Sequence, residues 1–411
     1  MNTIPIWMAG LILAWAIPAY AAESTIVTLD QVIEGALQKS MGISQAHKDF
    51  EDKLSDSTEV SILDNPELKT DFVNQKDVAG TGVGVELTQP LKFSQLTGAR
   101  WRYADLLRNT ATSEQQYEIL KTVNQTISSY LRVWLLQKRK KLYETSAKDA
   151  ESMSKLVTAS ANKGQASLAA SNLFQTDAEK LKADATATDS ELRQARSDLT
   201  KLTGRIFSNA ELQKPNLSKV PKNTEILIRF AQDHSNLRNI AKAQIKAAEA
   251  RVAIAKQDAA LPEISPRLLY ARSGNGNDSS FGVGIQLRIP LWNQNDAERQ
   301  RAHASLASAK SQADIFTSAP PEETIAELQQ SAIASSDVAD SYTAKILPGY
   351  RKSYDLTRSM FRQGQINALE VWQVREKLYQ SENEGLQAIV EAFNARGALE
   401  LELGGKLEEI K

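Results

Sequence analysis

The glycine pairs Gly82/Gly84 and Gly282/Gly284 are the first residues to test for chemistry, because closely spaced glycines let a backbone wrap a phosphate. Neither pair leads into a G-x-x-x-x-G-K-[ST] run or a strand-to-helix turn, so the likeness to a phosphate loop is superficial. The three histidines, His47, His234 and His303, lie far apart, and no cluster has metal-ligand spacing. The 411-residue chain has no cysteine, which excludes disulfides, thiolate metal sites, a cysteine nucleophile and an N-terminal lipid-modified cysteine. Carboxylates are abundant, but none sits in a catalytic motif. Lys138-Arg139-Lys140-Lys141 reads as a solvated face in mid-helix, and a net charge of -1 with evenly mixed signs advertises no nucleic-acid partner. The informative pattern is architectural.

Phe281, Val283, Ile285, Leu287, Ile289 and Leu291 alternate with Gly282, Gly284, Gln286, Arg288 and Pro290. Strict alternation predicts a β-strand with one greasy face and one wet or close-packed face. Val83, Val85, Leu87 and Leu91 alternate in the same frame, G-V-G-[VI]-x-L-x-x-P-L, 200 residues earlier. Gly164-Gln165 and Gly364-Gln365 repeat at that spacing, as do Gly204 and Gly404. The chain reads as a duplication.

Residues 1–21 are expected to be a cleaved signal peptide, with an apolar run from Ile4 to Pro18 and a small-x-small site at Ala19-Tyr20-Ala21. Its n-region lacks Lys and Arg, and a membrane anchor is the competing reading. Beyond it, no run approaches the roughly 20 apolar residues of a membrane helix, so any crossing falls to strands.

The first structural repeat is set at 22–215. Thr28-x-x-Gln31 is a capping box opening a helix that runs to about Asp64. A β-hairpin follows at about 66–91, then a long helical hairpin at about 94–204 with its tip at Gly164. The tract before that tip, about 70 residues, would make a helix roughly 100 Å long. The second repeat, 216–411, has a helix capped by Asn223, a β-hairpin at about 262–291 and a helical hairpin at about 296–404 with its tip at Gly364. Pro320-Pro321 must interrupt or kink the third long helix. The fold class is mainly α with transmembrane β.

One strand face is apolar; the other carries Glu67, Lys69, Asp71, Glu86, Arg267, Gln286 and Arg288. That suits lipid outside and water inside, whereas a soluble sheet covered by helices is the bland reading. Four strands cannot close a barrel, and open edges are not tolerated in lipid, so several chains must share one barrel. Trp101, Tyr103 and Trp292 near the strand exits fit either an interfacial girdle or packing at the junction with the helices. His303 is expected at the surface or between helices.

The order of helix, hairpin and long helical hairpin, repeated with strand-Pro-Leu exits and Gly tips, resembles the TolC-type outer membrane factors over essentially the whole mature chain. Asn65-Pro66-Glu67-Leu68 and Glu86-Leu87-Thr88-Gln89-Pro90-Leu91-Lys92-Phe93 are most similar to the CzcC-like heavy-metal cation efflux branch. The resemblance implies a homotrimer with a 12-stranded barrel in the outer membrane of a Gram-negative bacterium, continued by a periplasmic α-helical barrel. It implies a passive exit duct, not an enzyme, without cofactors, working in a tripartite system. The partners would be a periplasmic adaptor and an inner-membrane transporter of the resistance-nodulation-division type, facing Gly164, Gln165, Gly364 and Gln365. The cargo implied is divalent heavy-metal cations. Drug or small-molecule efflux, type I secretion and, in another class, a soluble periplasmic coiled-coil adaptor are the alternatives.

In several members of that family, acidic residues six and nine positions after the second tip glycine ring the periplasmic aperture. Here they are Glu370 and Gln373. Rings of carboxylates favour cations, but Asn367-x-x-Glu370 also has capping-box spacing, and both readings stay open.

Overall fold

The computed structural model describes residues 26–74, 81–164, 166–207, 210–274, 278–289, 292, 294–317 and 321–410. The expected signal peptide (1–21), Gln165, Pro290, Leu291 and Pro320 lie outside the described residues.

A short strand β1 (Ile26–Val27) leads to Thr28, whose side chain and the Gln31 side chain close the expected capping box at the start of α1 (Leu29–Lys39). Ser40 then does double duty. It ends α1 in an extended conformation, and its hydroxyl accepts from the Gly42 N–H to open α2 (Met41–Ser61). The single helix expected up to Asp64 is therefore two, because serine serves as well at a cap as inside a helix.

The antiparallel hairpin β2 (Glu67–Asn74) and β3 (Thr81–Thr88) follows. A turn of helix, α3 (Phe93–Leu96), and Gly98 at φ +70° precede α4 (Ala99–Ala161), which starts five residues later than the expected boundary near 94. Gly164 (φ +73°) turns the chain into α5 (Leu168–Thr203). The α5 residues Ser171, Phe174, Ala178, Leu181, Ala185, Thr188, Leu192, Ala195 and Leu199 are buried at alternating steps of three and four. That 3.5-residue period holds one seam of α5 against α4, as in a left-handed coiled coil.

Residues 205–223 cross back through β4 (Glu211–Leu212), which pairs in parallel with β1. The Tyr130 hydroxyl shares its one proton between the carbonyls of Gln213 (2.7 Å) and Val27 (3.0 Å) and locks this small sheet onto α4. Neither strand has enough residues to show a period.

The second copy opens on Asn223, whose side chain caps α6 (Thr224–His234), and Ser235 again divides the helix before α7 (Asn236–Ala260). Strands β5 (Glu263–Arg272) and β6 (Ser279–Arg288) form the second hairpin. The helical tract is broken as Pro320-Pro321 requires: α8 (Asp296–Thr317) stops and α9 (Pro321–Ser341) begins at the second proline. A π-helical turn, Tyr342–Ile346, leads into α10 (Leu347–Arg362). Pro348 explains it, since proline lacks the N–H that would complete the preceding turn and its ring crowds the carbonyl four residues back.

The last helix, α11 (Ala368–Leu403), buries Val371, Ser381, Gly385, Ala388, Ala392, Leu399 and Leu403. Each stands 200 positions after a buried residue of α5. The duplication extends from glycine landmarks to the packing seam. Fully buried side chains such as Phe174, Tyr130 and Leu399 hold these helices, each contributing about 1.5–3 kcal/mol of burial.

Candidate functional site: the amphipathic sheet and the helical tip

The four long strands form one sheet in the order β2-β3-β5-β6, and the β3–β5 pairing joins the two copies. Cross-strand partners share a face. The register sets Glu67 beside Thr88 and Arg267, Lys69 beside Glu86, Ser265 beside Gln286, and Glu263 beside Arg288. All seven residues expected on the wet face (Glu67, Lys69, Asp71, Glu86, Arg267, Gln286 and Arg288) therefore stand on one side. Arg267 reaches Glu86 at 3.0 Å, Thr88 donates to the same carboxylate at 3.1 Å, and Arg288 pairs with Glu263 at 3.5 Å.

The opposite face holds Leu68, Phe72, Val83, Val85, Leu87, Leu268, Tyr270, Phe281, Val283, Ile285 and Leu287. The helices do not cover it. Phe281, Val283 and Ile285 are 74%, 75% and 69% exposed. A contiguous apolar sheet face left open in this way needs another apolar medium or partner. Leu269 is the largest of the apolar residues on the charged face, with Val73 and Ala271, while Arg272 stands on the apolar one. Trp101 and Trp292 are exposed at the helix end of the strands, while Tyr103 is half-buried. No helix among the described residues is long and apolar enough to cross a membrane.

At the far end of the helices the two tips are built alike. Gly364 (φ +73°) donates its N–H to Phe361 O at 2.9 Å, and Gln365 reaches back to Met360 O at 3.0 Å, a pairing that satisfies the last helical carbonyls. Nothing lies within 4 Å of a side chain imagined at either Gly164 or Gly364, so positive φ alone accounts for these glycines. Asn367 and Glu370 form the capping box: Glu370 N–H donates to Asn367 Oδ1 at 3.0 Å, and Glu370 Oε1 accepts from the Asn367 Nδ2 at 2.7 Å. Glu370 and Gln373 are both exposed.

A network that no local motif announces sits just above the tips. Arg375 of α11 is buried and donates to Asp177 of α5 and to Ser146 O of α4 (2.7 Å), with Asp149 of α4 at 3.4 Å. Asp149 also accepts from the Tyr354 hydroxyl and faces Arg358 at 3.6 Å, both on α10. Burial, followed by the hydrogen bond to the Asp149 carboxylate, pushes the Tyr354 hydroxyl pKa far above its usual value. Four helices meet on two carboxylates.

The basic run is half-exposed, with Lys141 in solvent, but it also makes pairs. Lys138 pairs with Glu211 (3.2 Å), Lys140 with Asp189 (2.6 Å), and Arg139 donates to Asn383 (2.7 Å) and Gln387 (3.1 Å), so the run ties α4 to its neighbours. His303 is exposed. Among the described residues, no three His, Cys, Asp or Glu side chains are grouped to hold a metal ion.

Comparison with known proteins agrees with this geometry. Residues 231–405 match the Outer membrane efflux protein family. Over 400 residues, 94% of this chain and 93% of the relative, the sequence is 22% identical to the cobalt-zinc-cadmium resistance protein CzcC of Cupriavidus metallidurans. The fold is that of the outer membrane protein VceC of Vibrio cholerae (TM-score 0.73, 16% identity, 92% of this chain and 96% of that one). It is equally that of the Campylobacter jejuni CmeC outer membrane channel (TM-score 0.73, 12% identity, 98% and 94%). CusC, described in terms of transmembrane channel formation, aligns at TM-score 0.70 with 16% identity over 92% of each chain. The resemblance to TolC-type factors and to their CzcC-like branch is borne out.

Proposed function

We propose, on the premise that the chain has the fold of outer membrane efflux channels, that three copies close a 12-stranded barrel and act as the exit duct of a tripartite pump. The observation that carries this reading is the four-stranded sheet itself. It has an uncovered apolar face, a charged face and two unpaired edges, β2 and β6. An edge cannot be left open in lipid, and copies of the same sheet joined edge to edge remove every one of them.

The charged face then lines water, and the helices continue the duct into the periplasm of a Gram-negative cell. An adaptor and an inner-membrane transporter, of the resistance-nodulation-division type, meet the tips at Gly164, Gln165, Gly364 and Gln365. Transport energy comes from that transporter, so the duct needs no catalytic residue. The similarity to a cobalt-zinc-cadmium resistance protein supports divalent heavy-metal cations as cargo. Glu370, with Gln373 one turn on, faces the aperture while capping α11.

Membrane fractionation followed by unheated electrophoresis in detergent tests the assembly. A trimer in the outer-membrane fraction is expected, and a soluble monomer would overturn the reading in favour of a periplasmic coiled-coil protein. A deletion strain that gains sensitivity to zinc, cobalt or cadmium supports the cargo, whereas sensitivity confined to organic drugs would replace it.

A further inference from the structure

Three of the four strand glycines have no local reason to be glycine. Gly84, Gly282 and Gly284 have none of the positive φ that requires one. A Cβ placed on them would meet its nearest neighbours only at 3.7–3.8 Å, which is ordinary contact. Gly82 differs, because a Cβ there would press on Arg272 O at 3.3 Å. Glycine inside a strand sacrifices packing and backbone order. Three such residues on one face of one sheet call for an explanation in what they leave empty.

What lies over Gly282 and Gly284, and the space around Gly84, answer this. The register pairs Gly282 with Leu269 and Gly284 with Arg267, all on the charged face. The Leu269 Cδ1 stands 3.8 Å from the Cβ position of both Gly282 and Gly284, so this side chain lies flat across the two. The Arg267 Nε and Nη2 stand 3.9 Å from the Cβ position of Gly284. Arg267 Nε is shielded from solvent with no hydrogen-bond partner, as expected of a guanidinium pressed against a wall, while its Nη1 holds Glu86. Both residues are half-buried on a face that has no layer above it. Around Gly84 the face sinks into a depression of about 500 Å³ bordered by Asp71, Glu86, Leu269 and Ala271.

We propose that Gly84, Gly282 and Gly284 set the bore of the duct: Gly282 and Gly284 form a floor on which Arg267 and Leu269 fold down along the wall instead of projecting across it, and Gly84 keeps the depression beside them open. The inference rests on the channel reading and deepens it, naming the residues that fix the largest solute the barrel passes. A side chain extending beyond Cβ at 284 would lift Arg267 off the wall and away from Glu86, and one at 282 would lift Leu269. Repeated in each subunit, these changes ring the lumen.

The absence of cysteine makes the test direct. A Gln286→Cys reporter places a unique thiol on the same face, on the helix side of the glycine rows. Intact cells carrying it are labelled from outside with maleimide-polyethylene glycols of increasing mass. The expected result is that Gly84→Leu/Gly282→Leu/Gly284→Leu loses labelling by the largest reagents that reach the introduced thiol past the glycine floor, and keeps labelling by the smallest. The milder Gly→Ser triple, for use if the leucine triple fails to form unheated trimers, loses fewer steps of the ladder. Ile285→Trp, on the opposite face, leaves the ladder unchanged. An identical ladder in wild-type and serine or leucine floors would overturn the inference and leave the duct intact. A thiol that no reagent reaches in outer-membrane trimers would instead overturn the lumen itself.

Discussion

The Tyr354 hydroxyl donates to the Asp149 carboxylate, and the two residues belong to different helical hairpins. With Arg375 bridging Asp149 and Asp177, this bond fixes the second hairpin to the first just above the tips. The apolar cluster of Met153, Val157, Phe174, Phe361 and Val371 packs in the same region.

Arg375→Ala strips Asp177 of its cation and leaves Asp149 with Arg358 alone. Removing one partner of a buried pair costs about 3–5 kcal/mol, here concentrated at the tip rather than spread over the fold. Spin labels placed below Gly164 and Gly364 are expected to show a wider distance distribution in the variant. Planar-bilayer conductance is expected to rise. Unchanged distances and conductance would mean that the apolar cluster alone holds the hairpins together.

Two substitutions separate the capping role of Glu370 from its proposed role at the aperture. Glu370→Gln keeps a side chain able to complete the capping box and removes only the charge. Asn367→Ala removes the cap at a cost of about 1 kcal/mol and keeps the charge. Cation preference in bilayer recordings is expected to fall with the first and to survive the second. Loss with neither would confine Glu370 to capping.

The two faces of β6 differ in what they tolerate. Ile285→Arg puts a charge on the apolar face, at about 2–4 kcal/mol for a midplane position in lipid. Gln286→Leu, one residue on, changes the wet face. Heat-resistant trimers are expected to be lost with the first and kept with the second, read on unheated gels of outer membranes. The reverse pattern would turn the sheet inside out.

Tyr130 offers a pH-dependent readout away from the membrane. Its buried hydroxyl is pushed up to about 12 by burial. A raised folded pKa means that this stabilisation is complete below pH about 10, the unfolded value, and fades as pH climbs through about 12. Tyr130→Phe is expected to lose about 1–3 kcal/mol at neutral pH through the Gln213 carbonyl left without the hydroxyl, since the Val27 carbonyl keeps the Gln213 N–H. Melting curves of the two proteins should converge above pH 10. A constant gap across that range would assign the loss to packing.

The faces of the four strands, both capping boxes and the glycine ends of four helices were legible because each depends on neighbours within a few residues. Period-two alternation places Glu86 and Val85 on opposite sides whatever the partner strand. The Ser40 and Ser235 breaks were not legible, since serine is compatible with both a helix and its cap. The β1–β4 pair was hidden by its length. Pro348 disfavours a regular turn before it, but nothing in the local sequence tells whether the chain kinks, stops or, as here, widens one turn. The network around Arg375 depends on residues about 200 positions apart. Nothing local encodes it, and Leu269 on the charged face makes sense only once Gly282 and Gly284 lie beneath it.

The unpaired edges of β2 and β6 also carry a genetic consequence. A wall completed only by its neighbours makes every subunit answerable for the whole. In the proposed trimer, with three subunits drawn at random from equal pools of sound and edge-damaged chains, roughly one assembly in eight is free of damage. A defect confined to one strand edge would therefore behave as dominant, while a null allele of the same gene would be recessive.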